Sequence, residues 1–402
     1  MRSLVAAIPF LAVALPACSE SGSDSGSLQV SDSAGVQIVE NHFPAWAEEG
    51  GWVVESEPRL EIGAIDGPEE YTFSGIGEAY LLSDGRIAVT NRRTSEFRFF
   101  SGEGGFLDSS GREGEGPGEF VFMQTWRGTA DTLFVFDAQL ARVSILNPAG
   151  EFIRSTQVQG EPDLGNPSAF GSIPGGGLFV TSGTGGVPSG ARGLIEGNEI
   201  LFSQHSAEGR FQNVIARFPS ASRWVYTSSG MTTHQYLPYS VGWTPYAWAP
   251  GRLFVGLGTE AEIEVRGPDG RLIQLFRWGA ERQAVGAEEM AEYREQLLTY
   301  YEDPNQKRYW EGWLREVPFP EHLPIYSSLL VDRTGHLWAE QYRPFWDESR
   351  RWFVFNPDGI WLGTVETPQG FRVTEIGMDY VVGVGRDELD VEYVRVYDLV
   401  KG

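Results

Sequence analysis

Short apolar runs broken by small polar turns recur along this chain from residue 81 onward. Across 81–120 it reads LLSDGRIAVTN, then EFRFFSGEGGFLDSSG, then REGEGPGEF. Ser83-Asp84-Gly85 joins one pair of runs, and Ser101-Gly102-Glu103-Gly104 joins the next. Runs of this length, rich in Ile, Val and Phe and bounded by Gly, Ser and Asp, predict strands linked by tight turns. The unit therefore reads as a four-stranded antiparallel meander.

The unit repeats. Each copy opens on a turn and an apolar triplet. It closes on a second apolar run followed by polar, Pro or Gly, polar, Gly, apolar. Further copies span 130–135 with 143–152, 174–180 with 201–211, 250–255 with 263–272, 333–338 with 353–360 and, in part, 380–384 with 393–398. The first turns, at positions 84, 131, 175, 251, 334 and 379, lie 47, 44, 76, 83 and 45 residues apart. A period of about 40–50 residues is the spacing of propeller blades. The two long gaps must hold insertions or a hidden blade.

Within 279–323, Glu288-Glu289-Met290 leads into Tyr293, Leu297, Leu298 and Tyr301, one apolar face at helical spacing. Asp303-Pro304 then supplies an N-cap and a first-turn proline ahead of Tyr309, Trp310 and Trp313. Residues 223–249 show no second glycine turn and read as an elaborated connection. The expected fold is all-β: a six-bladed β-propeller of four-stranded antiparallel blades with one helical insertion around 280–323. Seven blades is the alternative count. The last copy ends after its third strand, and an unpaired sheet edge at the seam invites association. An N-terminal strand is expected to close the last blade: 36–40, whose residues alternate, ahead of 53–62.

Composition fits this picture. Hydrophobic residues at 41% against 21% charged argue for a packed body, and the 50 glycines are spread as many tight turns would spread them. With 31 basic against 55 acidic residues the net charge is -24 and no basic cluster stands out, which excludes a nucleic-acid role. The acidity itself keeps the chain soluble.

Residues 1–17 carry Arg2, an apolar run from Leu4 to Leu15, and Ala17: a secretory signal, too short to span a membrane. Leu15-Pro16-Ala17-Cys18 resembles the lipobox of bacterial lipoproteins. Cys18 is the only cysteine, so it can form no internal disulfide. The resemblance implies lipidation at Cys18, and Ser19 after it implies sorting to the outer membrane. An ordinary leader with an incidental cysteine is the alternative. Residues 18–29 then read as a flexible tether and 30–402 as one propeller domain. The implied address is the bacterial outer membrane, facing periplasm or cell surface, with the lipid anchor as the membrane contact.

The decamer Gly111-Arg112-Glu113-Gly114-Glu115-Gly116-Pro117-Gly118-Glu119-Phe120, after an Asp-Gly-Arg-Ile hairpin, resembles the connector of bacterial six-bladed β-propeller proteins related to NHL repeats. The insertion ending in Pro318-Phe319-Pro320 ahead of Leu330-Val331-Asp332 is similar to the same family. The likeness covers about 30–399 and implies a six-bladed propeller. It implies little about activity. Related propellers include lyases and lactone hydrolases that hold Ca²⁺ or Zn²⁺ on the axis, which makes a metal-dependent hydrolase or lyase the alternative function.

Chemical signatures are sparse. His42, His205, His234, His322 and His336 fall in different repeats, none at metal-ligand spacing, and neither His-Glu-x-x-His nor Gly-x-Ser-x-Gly occurs. Residues 111–120 carry Glu113, Glu115 and Glu119 and no closing Gly-Lys-Ser/Thr, so they read as a blade connector and not a phosphate cradle. No catalytic residue or metal ligand is nominated. No cofactor is expected, Ca²⁺ being the ion that acidic and Asn oxygens on the axis would hold.

Blade connectors and the loops between second and third strands share one end of a propeller. That end would present Asn91, Arg92, Arg93, Arg112, Glu113, Asp137, Gln139, Arg343 and Trp346. Trp243 and Tyr246 join them from the aromatic run at 223–248, which serves either as a wall for sugar or peptide rings or as packing between blades. The expected function is an envelope-anchored binding module for a small polymer or a partner protein.

Overall fold

In the computed structural model, which describes residues 28–46, 50–161, 165–228 and 230–402, the turn at Ser83-Asp84-Gly85 joins strand Ile76–Leu81 to Ile87–Asn91. Glu96–Phe100 and Phe106–Ser110 complete a four-stranded antiparallel sheet. Gly85 sits at φ +86°, the left-handed conformation this turn needs and L side chains resist. Five further blades follow, within 123–157, 168–219, 246–278, 326–367 and 372–400.

The closing signature of each repeat has a physical cause. Register slips by a residue between third and fourth strands at Phe99/Phe100, Ile145/Leu146, Val265/Arg266 and Val354/Phe355. In the turns that follow, Ser101 Oγ, Asn147 Oδ1, Ser206 Oγ and Asn356 Oδ1 each accept two backbone N–H groups. Short polar side chains of this kind hold a turn by standing in for backbone. The turn glycine also meets the preceding blade: a Cβ on Gly209 would collide with the Gln157 carbonyl, and one on Gly359 with the Phe276 ring.

The core lies between sheets. Six apolar clusters occur, one at each junction between neighbouring blades. Successive residues of one strand face opposite neighbours: Leu337 packs toward the fourth blade, Trp338 toward the sixth. Strand Ile87–Asn91 is accordingly buried along its whole length. Each large side chain buried this way stabilises by about 1.5–3 kcal/mol.

The ring closes on an N-terminal segment. Leu60–Ile62 pairs antiparallel with residues 394–396 of the last strand, Glu392–Val400, and Val53–Val54 pairs with residues 399–400 of the same strand. Pro58, which has no N–H to give, falls in the break between them, while Glu55 N and Arg59 N still bond the carbonyls of Asp398 and Val396.

The expectation that 36–40 closes the ring is corrected. Val36–Asn41 runs parallel to Leu272–Trp278 on the outer edge of the fourth blade, and Leu28–Ser33 pairs antiparallel outside it. Asn41 pins it there: its amide donates to the carbonyls of Arg277 and Gly359, and its oxygen accepts from Trp361 N. Among the described residues the first ladder strand, Leu28–Ser33, takes in Leu28 and Gln29.

The blade count is six. The long gaps hold insertions, all emerging at one end of the ring. Gly193–Ile195 leaves the third blade between its second and third strands. Arg223–Ser228 and Met231–Tyr236 precede the fourth blade, and together these three strands form a small separate sheet. Helices α1 (Ala287–Thr299) and α2 (Pro304–Glu316) precede the fifth blade. Asp303 Oδ1 caps α2 by accepting from Asn305 N at 2.6 Å and Gln306 N at 3.4 Å. Trp313, Leu314 and Val317 pack with Trp224, Tyr226, Leu237 and Tyr293, so this crown has an apolar core of its own. Among the described residues no helix is long and apolar enough to cross a membrane. Cys18, the leader and the tether up to residue 27 lie outside the described residues.

Candidate binding site on the propeller axis

The first strand of each blade lines the axis, and their side chains bound two cavities, of about 780 Å³ at the crown end and about 480 Å³ at the opposite, hairpin end. Glu78, Leu329, Leu330 and Thr374 line both, so the two cavities meet at this level.

The walls of the larger basin are aromatic. Tyr236, Tyr239 and Trp243 come from the connection before the fourth blade, Tyr293, Trp310 and Trp313 from the helices, Tyr301 from the link between them, and Tyr342 and Phe345 from the fifth blade's loop. Most of these rings brace one another. Tyr239 and Tyr293 meet edge-on at 5.0 Å, and Tyr301 stacks on Trp310 at 5.2 Å. Trp243 differs: it is 59% exposed and forms no ring pair among the described residues. Burial, aided by the nearby charges of Glu292 and Glu289, pushes the Tyr239 phenol up to about 12. Burial likewise raises Tyr293 and Tyr342. These rings thus stay neutral hydroxyl donors at any ordinary pH.

The floor is polar and charged. Glu340 is gripped by Arg350 Nη1 and accepts from Ser328 Oγ at 2.8 Å, with Arg343 Nε 3.8 Å away. Glu78 is held more loosely, 3.5 Å from Arg372 Nη1 and 4.0 Å from Arg92 Nη2. Burial raises the Glu78 carboxyl, and Arg372 and Arg92 pull it back only in part. Arg372 is fixed by donating to the carbonyls of Ile76 and Gly77 at 3.0 and 2.6 Å.

The hairpin end is closed tighter. Arg127 bridges Asp131 at 3.0 Å and Glu375 at 2.7 Å, and all three side chains are buried. Glu375 also accepts from Tyr380 OH at 2.8 Å; burial raises its carboxyl, opposed by Arg127.

Of the side chains nominated from the sequence, Trp243 and Arg343 line the basin, and Arg92 stands just outside it, 4.0 Å from Glu78. Tyr246 lines the hairpin-end cavity. Trp346 stands behind the basin wall, edge-on to Tyr293 at 5.9 Å. Asn91 and Asp137 are buried at 2% and 1% exposure. Asp137 accepts the N–H groups of Val121, Gln139 and Leu140, and the Asn91 amide lies within bonding reach of Ser74, Thr94 and Arg98. Arg93, Gln139, Glu113 and Arg112 are exposed outside the basin. Arg112 pairs there with Glu119, while Arg142 ties the connector's carbonyls.

Sequence reasoning missed Glu78, Glu340, Arg350 and Arg372. Each lies in a strand, and nothing local in sequence marks it as facing the basin. Guanidinium groups stand beside each of the axial acids, closely at Glu340 and Glu375 and more loosely at Glu78. Among the described residues no three or more His, Cys, Asp or Glu side chains group as metal ligands.

No protein-family model matches this sequence, and no curated protein matches it. Solved structures resemble it in fold. A member of the DUF4221 family from Bacteroides vulgatus is 12% identical, with 88% of this chain and 100% of that one covered and a TM-score of 0.50. A Bacteroides fragilis protein named for its expected export is 10% identical, covering 91% and 99%, with a TM-score of 0.47. A streptogramin B lyase is 9% identical, covering 88% and 98%, with a TM-score of 0.39. The sheet topology makes this chain an all-β propeller, and the likeness to the DUF4221 member bears on fold alone.

Proposed function

We propose that this chain is a binding module of the bacterial cell envelope, tethered by lipid at Cys18, that takes a small polymer into the crown-end basin. The observation that carries the reading is the ring-walled recess of about 780 Å³ over a polar floor, within the ~300–1,000 Å³ usual for ligand sites. A recess suits a slender chain better than the broad face of a folded protein. Exposed Trp243 offers an unpaired ring for stacking. Support for the anchor is the Leu15-Pro16-Ala17-Cys18 sequence. The test is an array of envelope glycans and peptidoglycan fragments probed with the full chain. Trp243→Ala should lose the bound polymer while melting as wild type does. Silence across the array, or full retention by Trp243→Ala, would overturn the reading. A stoichiometric metal removed only by chelator would favour the hydrolase or lyase instead. Labelled fatty acid should enter the chain in cells and be lost on Cys18→Ala.

A further inference from the structure

We propose that the polymer taken by this basin is an acidic oligosaccharide, its ring carboxylates read by Arg92, Arg343 and Arg372. This rests on the binding-module reading above and narrows it to one ligand class.

The argument starts from charge. The chain as a whole carries -24, yet the charged side chains lining the basin are Arg343, Arg350 and Arg372 against Glu78 and Glu340. The lining thus carries three guanidinium groups to two carboxylates, with Arg92 just outside it, 4.0 Å from Glu78. The local sign is therefore opposite to the global one. A recess with low-dielectric walls concentrates such a field.

The pairs also differ in quality. Arg350 is committed to Glu340. Arg343, Arg372 and Arg92 stand 3.8, 3.5 and 4.0 Å from the nearest carboxylate oxygens, looser than charge-assisted hydrogen bonds. Their side chains remain 24%, 41% and 49% exposed. Arg343 Nη1 donates to the Asp347 carbonyl and Arg372 Nη2 to those of Ile76 and Gly77, so a ligand carboxylate would take the remaining N–H donors and leave the Glu340–Arg350 pair intact.

The neutral lining chooses the rest of the ligand. Ser327, Ser328 and Thr374 put hydroxyls at the floor beneath ring faces such as Trp243 and Tyr342. A sugar ring matches this arrangement, with apolar C–H faces for the walls and hydroxyl edges for the floor. A single small aromatic acid would leave most of the volume to water.

The test compares the full chain's affinity for oligogalacturonate and for its fully methyl-esterified form, which shares the backbone and lacks the charge. The acid should bind at least about tenfold tighter, with a margin that shrinks as salt rises. The double variant Arg92→Ala/Arg343→Ala should erase the margin between acid and ester. Equal or tighter binding of the ester overturns the assignment without using any variant, and leaves the binding-module reading standing. A margin that survives the double variant, in protein that melts as wild type, overturns the role given to these arginines. Binding to neither polymer overturns the acidic-sugar assignment, and the glycan array then decides the wider reading separately.

Discussion

At the hairpin end of the axis, one arginine holds two acids in a dry network. At the crown end, one pair, Glu340 with Arg350, is as close, but Arg343, Arg372 and Arg92 face their acids across longer gaps. Arg127, Asp131 and Glu375 have side chains 4%, 7% and 8% exposed, whereas Arg92, Arg372 and Glu78 stand at 49%, 41% and 27%. The same six sheets build both ends, so the contrast comes from what the loops add. Regular hairpins surround one end, where Arg127 pairs directly with two buried acids. Three insertions open the other into a basin whose donors are not fully used. The first arrangement stabilises the ring, and the second leaves binding capacity free.

Removing Arg127 breaks the closed end most directly. Arg127→Leu leaves Asp131 and Glu375 buried without their shared partner, at a cost of about 3–5 kcal/mol by denaturant unfolding. Arg343→Leu at the crown should cost less, about 1 kcal/mol, because Glu340 keeps its closer partner Arg350 and the main loss is the Arg343 bond to the Asp347 carbonyl. Equal costs would erase the distinction between the two ends.

The seam gives the next largest effect. Ile62, 2% exposed on the strand that closes the ring, should cost about 2–4 kcal/mol on replacement by alanine. Val30 lies on the outermost ladder at 52% exposure, and Val30→Ala should cost less than about 0.5 kcal/mol. A reversed ranking would mean that the outer ladder, not 60–62, keeps the ring shut.

A smaller change separates crown from ring. Asp303→Ala removes the cap of α2 and should cost about 1 kcal/mol locally. Hydrogen exchange should quicken in 304–316 while protection in the blades holds. If protection falls in both, the crown is not an independent layer.

Much of the ring was legible because its signals are local. Gly85 and Asn147 reveal their turns through chemistry acting within four residues. The seam was ranked wrongly for a physical reason. Residues 36–40 alternate cleanly while Pro58 interrupts 53–62, yet pairing is decided by the long strand Glu392–Val400, far away in sequence. Crown aromatics were visible as a concentration, but their directions were not. Trp243 reaches the basin, Trp224 enters the crown core and Trp248 lines the opposite cavity. Asp137 misled because a loop aspartate looks the same in sequence whether it faces a ligand or caps its own backbone. Glu78 and Arg372 come together only through closure of the first blade against the last.

Glu78, where the two ends meet, supplies the finest test. Burial raises its carboxyl above the ordinary 4.5, and Arg372 and Arg92 only partly oppose this. Tyr80, on the same strand, is itself raised by burial and by the Glu78 charge. An acid with a raised folded-state pKa favours folding in its protonated form. Its contribution is complete below the unfolded value near 4.5 and is lost as pH climbs through the raised value. Glu78→Gln should therefore flatten that part of the stability–pH curve and add up to about 1 kcal/mol at pH 7, the channel's water limiting the gain. The same variant should tighten binding of an anionic polymer, because one repelling carboxylate leaves the floor. If stability at pH 7 falls instead, the Arg372 and Arg92 pairs outweigh burial, and Glu78 belongs with the closed network rather than the open one.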